Sequence, residues 1–233
     1  SKFGMLAYAM DTNLTIFAEE MDRFTPLLMF EPFNNRTTNQ SSIITAIGWY
    51  DASRCFEVSL PVIVISSRSG LIIVFDIRSR KIVASYQLKN EHAVIIKWSP
   101  YSTSSFYVGT NCGALIKFDV DLSHIVTSRT IWEIRFPGIS IDFLAIDEID
   151  GSMAAIASKS GSFGIVYNLN GRTPTYSPEL STFDDGTTTI TCCTLFPFYR
   201  NFLIIVTNKC ALLHSIEESV TIELLRIPEI QAI

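Results

Sequence analysis

The chain has 233 residues, 48% of them hydrophobic and 18% charged, with a formal net charge of −5. That length holds one large domain or two small ones with ample core, and the composition excludes a chain disordered throughout. The mildly acidic balance argues against nucleic acid as the main partner, because phosphate binding needs clustered Lys and Arg.

With 16 Phe, 8 Tyr and many Ile, Val and Thr, the composition favours strands over helices. One pattern recurs along the chain: an apolar strand, a short polar turn, a second apolar strand. It starts with 5–9, the turn Asp11-Thr12-Asn13 and 14–17. It returns as 62–65, Ser66 to Gly70 and 71–76, then as 106–108, Gly109 to Gly113 and 114–119. The fourth copy is 154–157, Ser158 to Gly161 and 163–168; the fifth is 203–206, Thr207 to Cys210 and 211–214. With Asn13, Gly70, Gly113, Gly161 and Cys210 as equivalent positions, the steps are 57, 43, 48 and 49 residues. A period of about 40–50 residues with several strands per unit is the signature of a propeller blade. The glycines supply the left-handed residue a tight hairpin needs.

An inner strand is expected before the hairpin at 43–50, 93–99, 140–146 and 190–196, with Trp49 and Trp98 at matching places. An outer strand is expected after it at 27–30, 82–88, 124–129 and 220–225. The predicted fold is an all-β propeller of four-stranded antiparallel blades. About five blades are present, near 1–33, 43–90, 91–136, 139–183 and 188–228, in an incomplete or open ring. The stretches 34–42 and 171–189 read as long loops. The first unit starts at its second strand.

At this point the residues resemble a WD-repeat propeller in degenerate form. The dipeptide closing the third strand stands as Phe75-Asp76, Phe118-Asp119 and Tyr167-Asn168. Glu91-His92, followed by Ala93-Val94 and Trp98, is similar to the Gly-His element before an inner strand. No blade carries a full Gly-His and Trp-Asp set, so the hydrogen-bonded tetrad of regular blades is not assignable. The resemblance implies a non-enzymatic protein-interaction scaffold, in a ring that usually has seven blades. Either the missing blades belong to a longer chain or a partner completes the ring; the first is favoured because proteins avoid open strand edges. The absence of an initiator Met at Ser1 fits a chain processed or cut from something longer. The runs 5–8 and 198–205 are similar to two-propeller WD-repeat proteins of membrane trafficking, which implies a role in vesicle tethering.

Signals for catalysis are sparse. The three His (His92, His124, His214) are far apart in sequence, with no metal-ligand spacing. His92 reads as a blade-loop residue. There is no Gly-x-Ser-x-Gly elbow and no phosphate loop; Gly161-Ser162-Phe163-Gly164 belongs to a hairpin. Asp142, Asp147, Glu148 and Asp150 read as a solvated acidic turn, lacking the alternation of a calcium loop. No catalytic residue, cofactor or metal is expected; the alternative is a ligand-binding or enzymatic propeller with a site at the central channel. Basic residues (Arg68, Arg78, Arg80, Lys81, Lys89) concentrate in the second unit, around its hairpin turn and its third-to-outer-strand connection. Its basic turn, Arg78, Arg80 and Lys81, is a candidate partner contact. Trp132, with Phe136 and Pro137, is expected exposed at the rim as a contact anchor, since Trp is enriched at hot spots. The other aromatics, Trp49 and Phe75 among them, are expected in the core.

No apolar run approaches the ~18 residues of a membrane span, and residues 1–4 lack the features of a signal peptide. Five Cys without a Cys-x-x-Cys pair suit a reducing compartment. Triplets for N-glycosylation start at Asn13, Asn35 and Asn39, close to the roughly two that chance supplies, and are weak evidence for glycosylation. The expected setting is cytoplasmic, in a complex with other proteins that can hold the chain at an intracellular membrane.

Overall fold

The computed structural model describes residues 5–20, 23–34, 42–50, 61–120, 128–176, 180–183, 185–197 and 199–226. The described residues form five antiparallel sheets in chain order, as in a β-propeller. The first sheet is β1 (Met5–Met10), β2 (Asn13–Glu20) and β3 (Arg23–Phe30). The second runs β4 (Ile44–Trp49), β5 (Val62–Ser67), β6 (Leu71–Asp76) and β7 (Lys81–Gln87). The third runs β8 (Ala93–Trp98), β9 (Ser105–Thr110), β10 (Ala114–Val120) and β11 (Ser128–Arg135). The fourth has β12 (Phe143–Ile146), β13 (Met153–Ala157) and β14 (Ser162–Tyr167), and the last runs β17 (Ile190–Leu195), β18 (Phe202–Thr207), β19 (Cys210–Ser215) and β20 (Val220–Arg226). Two short pieces, β15 (Thr175–Tyr176) and β16 (Ser181–Thr182), both pair with β14.

Alternation along each middle strand explains why these strands read as unbroken apolar runs. In β5 every residue is buried, yet successive side chains leave opposite faces of the sheet. Val62 and Val64 pack with Ile96, Trp98 and Phe106 of the third sheet, while Ile63 and Ile65 pack with Leu14 and Ile16 of the first. The same division puts Tyr107 and Leu115 against Leu144 and Ile156, and Ala155 and Phe163 against Leu195 and Ile205. Each interior sheet is thus clamped on both sides. Inner strands β4, β8, β12 and β17 lie side by side in that order around the axis.

The two flanking sheets are clamped on one side only. Ala7, Ala9, Leu14 and Ile16 face the second sheet. On the other face, cross-strand register joins Leu6 to Phe17 and Tyr8 to Thr15 to Met29. There Leu6 is 49% exposed, Tyr8 57%, Met10 62% and Met29 70%. At the far end, Thr194, Ile204, Leu213 and Ile222 form one cross-strand row, and Ile222 is 57% exposed.

Two expectations are corrected. The third outer strand, expected to end at Arg129, runs on over Ser128–Arg135 and takes in Trp132; residues 124–127 of the expected strand lie outside the described residues. A bulge at Ile131 sets the face that Trp132 takes: Phe118 pairs with Thr130, but Lys117 pairs with Trp132. The extra residue puts Trp132 on the sheet face opposite Thr130, and that face packs on the fourth sheet. The stretch expected to be a loop at 171–189 also supplies the fourth sheet's outer edge, in two pieces, β15 and β16. Residues 35–41 of the first expected loop, with Asn35 and Asn39, lie outside the described residues, as do Cys55 and His124.

Candidate functional site

Among the described residues, three concavities combine shape with polar groups. The largest, about 810 Å³, is the central channel between β8, β12 and β17, with Ile95, Lys97, Phe143, Ala145, Cys192 and Thr194 in its wall. Its titratable groups are Lys97, Glu148, Cys192 and Cys193. Burial pushes the Cys193 thiol up to about 12, which leaves it protonated and inert near neutrality. Neither His92 nor His214 lines the channel. His214 instead accepts or donates a hydrogen bond with Thr221 at 2.9 Å and meets the Phe163 ring edge-on. Among the described residues, the channel brings no nucleophile to a base.

The second concavity, about 520 Å³, lies beside the β5–β6 turn and includes Arg68, Lys89, Glu91 and His92. Burial, followed by the Arg68 charge, lowers the His92 pKa from its usual value. Beneath it runs a network that sequence reading did not find. Glu91 is only 7% exposed; its carboxylate accepts from Thr110 Oγ1 at 2.8 Å and from Arg135 Nη2 at 2.8 Å. Thr110 Oγ1 in turn accepts from the Ala114 N–H at 2.9 Å. In the fourth sheet Asp142 accepts from the Lys159 N–H at 2.8 Å and from Ser158 Oγ at 3.4 Å. Thr207 Oγ1 likewise accepts from the Cys210 N–H at 3.0 Å. The signal was present: a buried Ser or Thr (Ser67, Thr110, Ser158, Thr207) stands three residues before each later turn position. This hydroxyl fixes the turn, and in the third and fourth sheets it is tied to an acid ahead of the inner strand. Thr110→Val keeps the shape but strands the Ala114 N–H and one Glu91 oxygen, so it costs about 1–3 kcal/mol in a urea unfolding curve. A change near zero would mean that water replaces the hydroxyl there.

The third concavity, about 370 Å³, opens between the first and second sheets and is walled by Met5, Leu27, Leu28, Pro61 and Ile77, with Arg78 and Arg80 also lining it. It contains two members of the predicted basic turn; Lys81 follows them, exposed, as the first residue of β7. Arg68 and Lys89 are not part of it. They belong to the β5–β6 end of the second sheet, separated from the β6–β7 turn by the length of β6, about 20 Å. The sequence cluster of basic residues is therefore two sites.

The other candidates fall elsewhere. Trp132 is 7% exposed and Phe136 1%, which corrects their expected exposure at the rim. Trp132 lies 5.9 Å from the Tyr107 ring, and Phe136 meets Tyr176 edge-on at 5.1 Å. The bulge at Ile131 turned an expected anchor into core. The acidic cluster also divides. Asp142 holds its own turn, whereas Asp147 and Asp150 pair with Arg200 of the last sheet, at 3.4 and 2.5 Å. Hydrogen bonds from Ser152, then the Arg200 guanidinium, hold Asp150 well below the usual carboxylate range. These acids clasp neighbouring blades. Among the described residues, no group of three or more His, Cys, Asp or Glu could hold a metal ion, and no helix is long and apolar enough to cross a membrane.

No family model matches the sequence, and no curated protein matches it. The fold does match solved structures, 1379 chains in all, so the architecture alone singles out no activity. One is a chain in the crystal structure of a mitotic checkpoint complex, with a TM-score of 0.67 at 13% identity. The match covers 95% of the present chain and 60% of that chain. At that identity the likeness shows the propeller fold. The chain spans less than two thirds of the length of this neighbour.

Proposed function

We propose that this chain is a non-enzymatic protein-interaction scaffold, the greater part of a degenerate WD-repeat ring whose flanking blades are covered by further β-sheet. The observation that carries this reading is the pair of apolar faces on the first and last sheets. Monomeric proteins rarely leave contiguous apolar area of this kind in water. Each interior blade buries the equivalent face against a neighbour, so a sheet with alternating apolar residues is the natural cover. Additional blades on the same polypeptide supply it without the association cost that a separate chain would pay. The solved checkpoint-complex chain, longer than this one and part of a protein assembly, supports the reading by analogy of fold.

Within it, the chain acts in the cytoplasm, in vesicle tethering, and is held at a membrane surface through its partners. The similarity of 5–8 and 198–205 to trafficking propellers supports that placement. The test is cross-linking mass spectrometry on the native protein. Cross-links from Lys209 and Lys159 to the same stoichiometric protein are the expected result, with additional sheet from the chain or a subunit against Tyr8 and Ile222. Native protein that is monomeric, has no further sheet and turns over a substrate through the channel would overturn the proposal.

A further inference from the structure

We infer that the cleft between the first and second sheets is a docking site for an acidic peptide segment that inserts one apolar side chain between two arginines. The inference rests on the scaffold reading and gives that scaffold a defined binding site. The cleft has five apolar wall residues and two cationic ones. At about 370 Å³ it lies at the small end of ligand sites, a size suited to a single side chain with some of its backbone.

Its wall is built by two local irregularities. Leu27 is the extra residue of a bulge in β3, between Leu28, opposite Ile16, and Pro26, opposite Phe17. It is 47% exposed, an unusual position for a Leu at the junction of two packed sheets. Arg80 sits at φ 56°, a left-handed conformation that costs a non-glycine residue strain. The turn is tightened by Asp76, whose carboxylate accepts from the Arg78 N–H at 2.9 Å and from Ser79 Oγ at 2.7 Å. Asp76 is the acid of the turn; against it stand Arg78, Arg80 and Lys81, so the turn is net positive on a chain that is net negative. Among the described residues no carboxylate forms an ion pair with these three.

Charge complementarity selects the occupant. An apolar slot demands an aliphatic or aromatic group, and guanidinium groups beside it demand carboxylates, with Arg able to engage them in bidentate fashion. A membrane surface fits less well, because lipid insertion uses apolar residues that protrude, whereas these line a recess.

The probe is a fluorescein-labelled peptide with one Leu flanked on both sides by Asp and Glu, read by anisotropy against the full-length protein. Two control peptides replace the Leu by Ser or the acids by Lys. The expected result is saturable, salt-sensitive binding of the first peptide, weakened about tenfold or more by either control and by R78E/R80E. Leu27→Asp should weaken it as well, and circular dichroism of both variants should match that of the parent. Equal binding to the parent and R78E/R80E overturns the inference. So does co-sedimentation with phosphatidylserine vesicles that depends on Arg78 and Arg80 when no peptide binds, which would assign the turn to lipid. A native protein that still cross-links to a subunit but binds no peptide removes the cleft and leaves the scaffold. A native protein that is monomeric, has no further sheet and turns over a substrate through the channel removes the scaffold itself.

Discussion

Replacing Phe106 by alanine lowers the free energy of unfolding by about 3–5 kcal/mol, the range for a large aromatic deleted from a close-packed core. Phe106 is fully buried. Its ring stacks on Trp98 at 5.4 Å and on Phe118 at 5.2 Å and takes the Tyr86 ring edge-on at 5.9 Å. Trp98 continues to Tyr50 at 4.8 Å, so the aromatic chain crosses from the third sheet to the second. A cavity there cannot close by a small shift, because the sheets on both sides are themselves clamped. Urea denaturation of Phe106→Ala should move the midpoint strongly, whereas Tyr199→Ala, at a position 64% exposed, should stay within about 0.5 kcal/mol. Similar losses at both positions would mean that the sheets are not packed as described.

The second large effect is expected at Gly113. Its φ is +80°, and a Cβ there would lie 2.0 Å from the Phe136 carbonyl oxygen and 2.9 Å from that of Ile139. The chain passes this close because the Phe136 N–H donates to the Gly113 carbonyl at 2.9 Å, closing the turn over a buried ring. Gly113→Ala therefore pays the left-handed backbone penalty of about 1–2 kcal/mol and must also displace the backbone at Phe136. Gly138 is the control. Its φ is +83°, but nothing lies within 4 Å of an added Cβ. Gly138→Ala should lose only the backbone term, and Gly113→Ala distinctly more, in thermal melts of the two variants. Equal losses would show that the segment at Phe136 yields without cost.

The cleft and the channel place different demands on the same scaffold. The channel wall is made of the inner strands β8, β12 and β17, and its titratable groups are Lys97, Glu148, Cys192 and Cys193. The cleft stands at the margin, where a three-stranded sheet meets a four-stranded one, and both of its arginines lie on the turn that Asp76 holds. Binding there leaves the ring undisturbed, as an interaction module requires. Outer turns of a rigid propeller can vary while the clamped sheets behind them keep one geometry.

Much of the architecture was legible in the sequence. The spacing of Gly70, Gly113 and Gly161 places hairpin turns that the structure confirms, each with positive φ, and the inner strand expected at 93–99 is β8. The basic turn was legible as well, at the connection between the third and outer strands of its unit, though not the apolar recess beside it. What escaped were features carrying no local signal. A bulge adds one residue to a strand without changing its composition, and Trp132 looks the same in sequence whether the bulge at Ile131 sends it to solvent or to core. Glu91 and Arg135 stand 44 residues apart, and only the docking of β8 against the rest of its sheet brings them to 2.8 Å.

The sequence by itself determined the period, the strand content and the turn positions, because these rest on alternation and backbone conformation, which are properties of neighbours along the chain. Tertiary structure alone decided which aromatics are buried, which acids clasp adjacent blades and which arginines meet an apolar recess. Those depend on register and bulges, and a shift of one residue exchanges the two faces of a strand.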